Sequence, residues 1–327
     1  MESIFGEFAQ DVEKMIEIIK PLISMSLNIL NEMQTDQVQT KNDGTVVTIC
    51  DFAIQSLIMD GISKKFPGDK VFGEEDYSKI TPEFLSKVKH VLPENFDPVS
   101  ACSTAIHYIN PEDHRVWCID PIDGTYGFIN NGHFAIATAL LVDLKLTLSV
   151  TAWPRHSSDI TGYPIDGPAI FVSAKGHGSW IFGMDGTHHR VTLPSTITDG
   201  VLYAKPGRFA EFSPRIQFLA DLLHTNNALR MVSMTKAFVL ATGKFSVYGR
   251  FHNMEEFFWD VAPFELFLTE IGCNCTTLDG GPIEYTRDGK VANSKNGLVF
   301  TNKDKEFHEL IRTKLTEYEN NRSICSL

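Results

Sequence analysis

The chain has 327 residues, 43% hydrophobic and 21% charged, enough to bury a sizeable core as one large domain or as two halves sharing an interface. A formal charge of −12 argues against a nucleic-acid backbone or an anionic membrane as partner, but leaves anionic substrates open wherever a bound metal reverses the local sign. Six scattered cysteines without a Cys-x-x-Cys pair, an acidic start (Glu2, Glu7, Asp11, Glu13) and no apolar run of about 18 residues suit a reduced, cytoplasmic protein without a zinc hairpin, targeting segment or membrane span.

In chain order, apolar Val12, Ile16, Ile19, Leu22, Ile23 and Met25 recur at helical spacing. They predict a helix from about Phe5 to Met33, which Pro21 should kink or divide. A polar loop, Lys41 to Thr45, leads into Val46-Val47-Thr48. A second helix is predicted from about Cys50 to Phe66, stopped by Pro67-Gly68. Thr48 and Asp51 have capping-box spacing, so Asp51 by itself reads as the acid of a helix start. Val71-Phe72-Gly73 is a short strand running into Glu74, Glu75 and Asp76; alone, these acids read equally well as a solvated charge run. Residues 77–114 are polar and interrupted by proline, with little chemical signal.

The strongest signal lies between Trp117 and Phe128, Trp-Cys-Ile-Asp-Pro-Ile-Asp-Gly-Thr-Tyr-Gly-Phe. It begins as a buried strand and ends in a turn that Pro121 and Gly124 permit, with Asp120 and Asp123 flanking the turn. Two nearby carboxylates repel each other and call for a cation, and oxygen ligands suit magnesium or manganese. Singly, Asp123-Gly124 is a common turn pair and Asp120 could cap a helix. A calcium hand fails for want of its alternating acids. The spacing, with Pro121 between the acids, favours metal bridging over an aspartyl-phosphate pair. Strands from Phe134 to Val142 and from Leu144 to Trp153 follow, and a first half, 1–155, closes near Arg155.

The second half, 156–327, opens with hairpin-like strands at Ala169 to Ala174 and Ser179 to Phe182. A strand near Val201, a helix from Ser213, a strand near Arg230 to Ser233, a short helix from Lys236 and a strand from Phe245 to Phe251 come next. Phe264, Phe267, Leu268 and Ile271 then mark a helix stopped by Gly272, with Asp260 where an N-cap belongs and Pro263 in the first turn. Capping is the simplest reading of Asp260 alone. A closing strand at Leu298 to Phe300 and a last helix from Asp304 to Tyr318 complete the chain.

Three acidic motifs thus occur in order: Gly73-Glu74-Glu75, Asp120-Pro121-Ile122-Asp123-Gly124-Thr125 and Trp259-Asp260-x-Ala262-Pro263. Together they resemble the lithium-sensitive phosphomonoesterase superfamily of inositol monophosphatase and fructose-1,6-bisphosphatase, over nearly the whole chain from Asp51 to the strand at Leu298. Gly127-Phe128, the Gly132-x-Phe134-Ala135-x-Ala137 run and Ser233-Met234-Thr235-Lys236 look like the 3'(2'),5'-bisphosphate nucleotidases within it. There are departures: Tyr126 stands where the family usually has lysine, Arg208, Phe209 and Glu211 stand where a histidine is frequent, and the region between Glu75 and Asp120 is short. They bear on the substrate and not on the metal site.

The resemblance implies an α+β fold of alternating layers, αβαβα, with the site between two halves. It implies Mg2+, two to three ions, with Mn2+ able to substitute: Glu74, Asp120 and the Ile122 carbonyl on one ion, and Asp120, Asp123 and Asp260 on a second. A third, weaker ion would sit near Glu74 and Asp51. Thr125 and Asp51 would orient and deprotonate the attacking water, and the N–H groups of Gly124 and Thr125 would face the phosphate. Ser233, Lys236 and Arg250 would bind the nucleotide, beside Asp260. The implied substrate is adenosine 3',5'-bisphosphate, cleaved to AMP, with its 5'-phosphosulfate analogue and inositol 1,4-bisphosphate as further candidates and a monomer as the expected state. Inositol phosphatase activity is the alternative. A homologue that keeps the fold without catalysis is disfavoured, because all five acids and Thr125 are present.

Overall fold

The computed structural model describes residues 1–327 except 42–43, 45, 204–212, 252–253 and 326–327. Among the described residues, the strands β1 (Val38–Thr40) and β2 (Val46–Thr48) pair only with each other. Next come β3 (Lys70–Gly73), β4 (Arg115–Asp123), β5 (Ala135–Val142), β6 (Lys145–Trp153), β7 (Ala169–Ala174), β8 (Gly178–Gly183) and β9 (His188–Val191). They form a seven-stranded sheet in sequence order, antiparallel except for the parallel pair β3 and β4. The second sheet contains β10 (Val201–Tyr203), β11 (Ala228–Arg230), β12 (Val247–Arg250), β13 (Asn274–Thr277) and β14 (Leu298–Thr301), in the order β11-β10-β12-β14-β13.

Side-chain alternation turns these sheets into layers. On β4, Trp117 and Ile119 enter a core shared with the helices Ala9–Glu32 and Ile49–Lys65, while Val116 and Cys118 enter the opposite core. That second core is shared with the helices Thr235–Leu240 and Ala262–Glu270, and with Leu202, Tyr248, Leu298 and Phe300 of the second sheet. Their neighbours Val201, Val247 and Val299 face the other way, onto Leu219 of the helix Ser213–Leu222 and Ile311 and Leu315 of the helix Lys305–Cys325. The sequence of layers is therefore helix, sheet, helix, sheet, helix, the arrangement expected from the resemblance.

Several elements depart from their sequence pattern. The first long helix continues through Pro21, which lies on its exposed face, as does Glu17 one turn earlier, so the one helical hydrogen bond that proline cannot donate is lost on the solvent side. Beyond Arg155, β7 pairs with β6, so the first sheet runs on to Val191 and the change of sheet falls between Val191 and Val201. Strand β11 stops at Arg230, which leaves Ser233 in the turn before a helix. The edge strands β9 and β13 were not predicted; exposed or half-buried polar residues (His188, His189, Asn274) hide their alternation.

Candidate active site

The site forms where β3 and β4 end side by side. Their parallel register pairs Gly73 with Ile119, and the Glu74 N–H donates to the Ile119 carbonyl at 3.1 Å, so Glu74 arrives beside Asp120. Residues three apart on a regular strand point to opposite faces. Here the register shifts: Asp120 lies opposite Ala137 and Asp123 opposite Ala135, so three steps on β4 match two on β5. This bulge at Pro121-Ile122 turns both carboxylates to one face, toward the layer between the sheets. Asp260 comes from that layer. It closes a single 3₁₀ turn, Phe258–Asp260, and the following helix starts at Ala262 with Val261 as its N-cap. Asp260 is thus not the N-cap, and its carboxylate is directed to the site. Oxygens of Asp120, Asp123 and Asp260 all lie within 4.8 Å of one another.

Burial raises the pKa of each of these acids. Asp120 is pushed well up by desolvation and then by the charges of Glu74, Asp123 and Asp260. Asp123 is raised by desolvation, against the opposing pull of Lys236. Asp260 is pushed up to about 8 by desolvation, against the pull of Arg250. Such a group has the chemistry of a hard-cation site: oxygen donors only, converging, with like charges confined in a poor dielectric. The residues fit a magnesium or manganese site.

Asp51 serves two roles at once. Its Oδ2 accepts from the Thr48 N–H (2.9 Å) and hydroxyl (2.5 Å), completing the capping box of the helix Ile49–Lys65. Its Oδ1 accepts from the Thr125 hydroxyl at 3.2 Å, so the capping acid is also the partner expected for Thr125. That hydroxyl also lies 3.1 Å from the Ile122 carbonyl. Burial pushes Asp51 up to about 6. Gly124 joins β4 to the short helix Thr125–Ile129 in a left-handed conformation, φ +83°. A Cβ there would meet the Ser233 Cβ at 2.9 Å, so both backbone and packing demand glycine.

The second half supplies the cations. The Ser233 hydroxyl donates to Asp123 Oδ2 at 2.5 Å, and the Met234 N–H donates to the same oxygen. Lys236 is buried, donates to the Ser233 carbonyl at 2.7 Å and lies 5.3 Å from the centre of the Tyr248 ring. Desolvation pushes its ammonium down to about 7. Arg250 is paired with buried Glu256 at 2.7 Å and lies 3.7 Å from Asp260. The carboxylate cluster and the Ser233–Lys236–Arg250 group therefore adjoin one another. The altered loop, with Arg208, Phe209 and Glu211, lies outside the described residues.

Four contributors were not anticipated. Glu256 is the partner that a buried Arg250 requires, but nothing local in the sequence distinguishes it. Gln55 follows Asp51 by one helical turn and grips the Glu75 backbone, accepting from its N–H at 2.8 Å and donating to its carbonyl at 2.6 Å. Glu75 is buried, and Lys41 pairs with it at 2.6 Å and with Glu74 at 3.3 Å. No helix among the described residues is long and apolar enough to cross a membrane.

A 3'(2'),5'-bisphosphate nucleotidase 1 of Candida albicans is 28% identical over 305 aligned residues, covering 81% of this chain and 83% of its own. A 3'(2'),5'-bisphosphate nucleotidase of Schizosaccharomyces pombe is 25% identical, covering 83% and 84%. The fold is shared with an IMPase of Thermotoga maritima, with a TM-score of 0.63 at 18% identity over 95% of this chain and 98% of that one. An IMPase/NADP phosphatase complexed with Mg2+ and phosphate shares it equally, with a TM-score of 0.63 at 19% identity over 93% and 95%. The profile of the inositol monophosphatase family matches residues 7–320, and the chain belongs to that family.

Proposed function

We propose that this protein is a Mg2+-dependent phosphomonoesterase that removes the 3'-phosphate of adenosine 3',5'-bisphosphate and releases AMP. One observation carries the reading: the Asp120–Asp123–Asp260 cluster adjoins a buried lysine and arginine, so groups suited to a metal and groups suited to an anion lie side by side. Bisphosphate nucleotidases among the relatives support the substrate class.

Glu74, Asp120, the Ile122 carbonyl, Asp123 and Asp260 would hold magnesium, which when bound would supply charge neutralisation on the phosphate and lower the pKa of a bound water. The other steps belong to the chain. The Thr125 hydroxyl orients the water and hands its proton to Asp51, 3.2 Å away. An acid pushed up to about 6 can accept that proton near neutral pH and release it afterwards. The N–H groups of Gly124 and Thr125 face the phosphate, and no covalent intermediate forms. Ser233, Lys236 and Arg250 hold the nucleotide and its 5'-phosphate, with Lys236 the better candidate for direct contact because Arg250 is already engaged by Glu256. Mn2+ can replace Mg2+, the protein acts as a cytoplasmic monomer, and the 5'-phosphosulfate analogue and inositol 1,4-bisphosphate are secondary substrates.

The test is magnesium-dependent phosphate release from adenosine 3',5'-bisphosphate, inositol 1,4-bisphosphate, inositol 1-phosphate, fructose 1,6-bisphosphate and AMP. Fast turnover of the first with AMP left intact is the expected result. A preference for an inositol phosphate would keep the metal chemistry and overturn the nucleotide assignment.

A further inference from the structure

One cation reaches the acid cluster from outside both sheets. Lys41 follows β1, and β1 and β2 pair only with each other in three-residue strands, the kind of isolated pair that has marginal stability of its own. Behind it lies a cavity of about 400 Å³ lined by Gln39, Thr40, Val47, Phe52, Glu74 and Glu75, with Lys41 itself on the wall. The ammonium stands 2.6 Å from Glu75 and 3.3 Å from Glu74.

Its two partners are held differently. Gln55 clamps the Glu75 backbone with both of its amide atoms, so the buried Glu75 carboxylate is fixed toward Lys41. The Glu74 side chain is 28% exposed against 2% for Glu75, and Glu74 acts on Asp120, Asp260 and Asp51 as well as on Lys41. A buried carboxylate needs a permanent counter-ion, whereas a half-exposed one can exchange partners.

We propose that Lys41 is a built-in counter-cation of the metal site. In the metal-free protein it holds Glu74 and Glu75 together; when a divalent ion binds, Lys41 stays with Glu75 and releases Glu74 to the ion. Lys41 therefore competes with the metal for Glu74, while Glu75 is its resting partner. This inference rests on the metal-dependent reading of the site.

The test is Mn2+ binding to the metal-free full-length protein, followed by the spin-resonance signal of the free ion, with no substrate present. Lys41→Met should tighten binding by about threefold to tenfold, the range of one partly buried charge contact. Lys41→Arg should restore the wild-type value. Glu75→Gln, which among the described residues leaves Lys41 with Glu74 as its ion-pair partner, should weaken binding by a similar factor. Lys79→Met removes the same charge from the same cavity wall, where Lys79 pairs with Asp76, and should change nothing. If Lys41→Met is unfolded without metal by circular dichroism, Glu75→Gln decides. Equal effects of the two lysine variants, or no opposite shift in Glu75→Gln, would overturn the proposal alone. Wild-type protein that binds no Mn2+ would overturn the metal-dependent reading itself.

Discussion

The two ends of β4 show opposite treatments of buried acid. At the N-terminal end, Asp69 accepts from the Arg115 guanidinium at 2.9 and 3.1 Å and from the Trp117 indole at 2.9 Å, and Arg115 also donates to Asp11 at 2.9 Å. Each charge there meets its opposite. At the C-terminal end, Asp120, Asp123 and Asp260 converge with Glu74 close by, and the cations of the site only partly answer them. Nine residues of one strand thus join a satisfied structural end to an end whose like charges raise one another's proton affinity. A buried acid that serves the fold brings its counter-ion, and one that serves chemistry is left to receive it.

The comparison can be broken most directly at Asp120. Asp120→Asn should lower phosphate release by at least about a hundredfold, the scale for losing a group that acts on charge in the transition state. The same change should raise the melting temperature of the metal-free protein, because it removes repulsion from the cluster. A melting temperature that falls would show that the acids are satisfied after all. Gly124→Ala tests the hinge between β4 and the site. The left-handed backbone alone costs about 1–2 kcal/mol, and the contact with Ser233 adds to it, so urea denaturation should move to lower midpoints and turnover should fall with it.

The structural end should respond in stability only. Asp69→Asn should cost about 1–2 kcal/mol in urea unfolding, a modest figure because Arg115 is about a third exposed, and leave turnover within about twofold. The contrast sharpens with pH. Asp51 at about 6 and Asp260 at about 8 both lie above the ordinary 3.8, so the native protein retains protons that the unfolded chain has already released. Stability of the metal-free protein should therefore fall as pH rises through that window. Thermal melts in chelator across this range check the sign, and added Mg2+ should flatten the slope. The smallest effect concerns Lys236, whose ammonium loses its charge above about 7 in the free site. The KM for the bisphosphate should rise on the alkaline side, without a matching change in kcat.

Much of this was legible from the sequence. The three acidic motifs, Thr125 and the Ser233–Lys236 pair stand out by residue type and order, and the strand-to-turn chemistry at Pro121 and Gly124 is local. Local rules were also right that Asp51 caps a helix, but they could not show that its second oxygen meets Thr125, 74 residues away. Capping chemistry misread Asp260, because the backbone takes one 3₁₀ turn before the helix begins. Lys41, Gln55 and Glu256 carry no periodic or motif signal, and Glu75 stands in a motif that names no partner for it; their importance lies in which charge or backbone group each one meets.

The sequence by itself determined the alternation that sorts residues to each face of each strand, the capping and glycine positions, and the identity of the acids. These depend on φ/ψ preference and on neighbours within a few positions. Only the tertiary structure decided that a bulge at Pro121-Ile122 turns Asp120 and Asp123 to the same side, that β7 to β9 extend the first sheet, and that Asp260 and Arg250 arrive from the layers beneath. Those outcomes rest on register and layer packing between separate segments, from the adjacent strands β4 and β5 to Asp123 and Ser233, 110 residues apart, and no local preference specifies them.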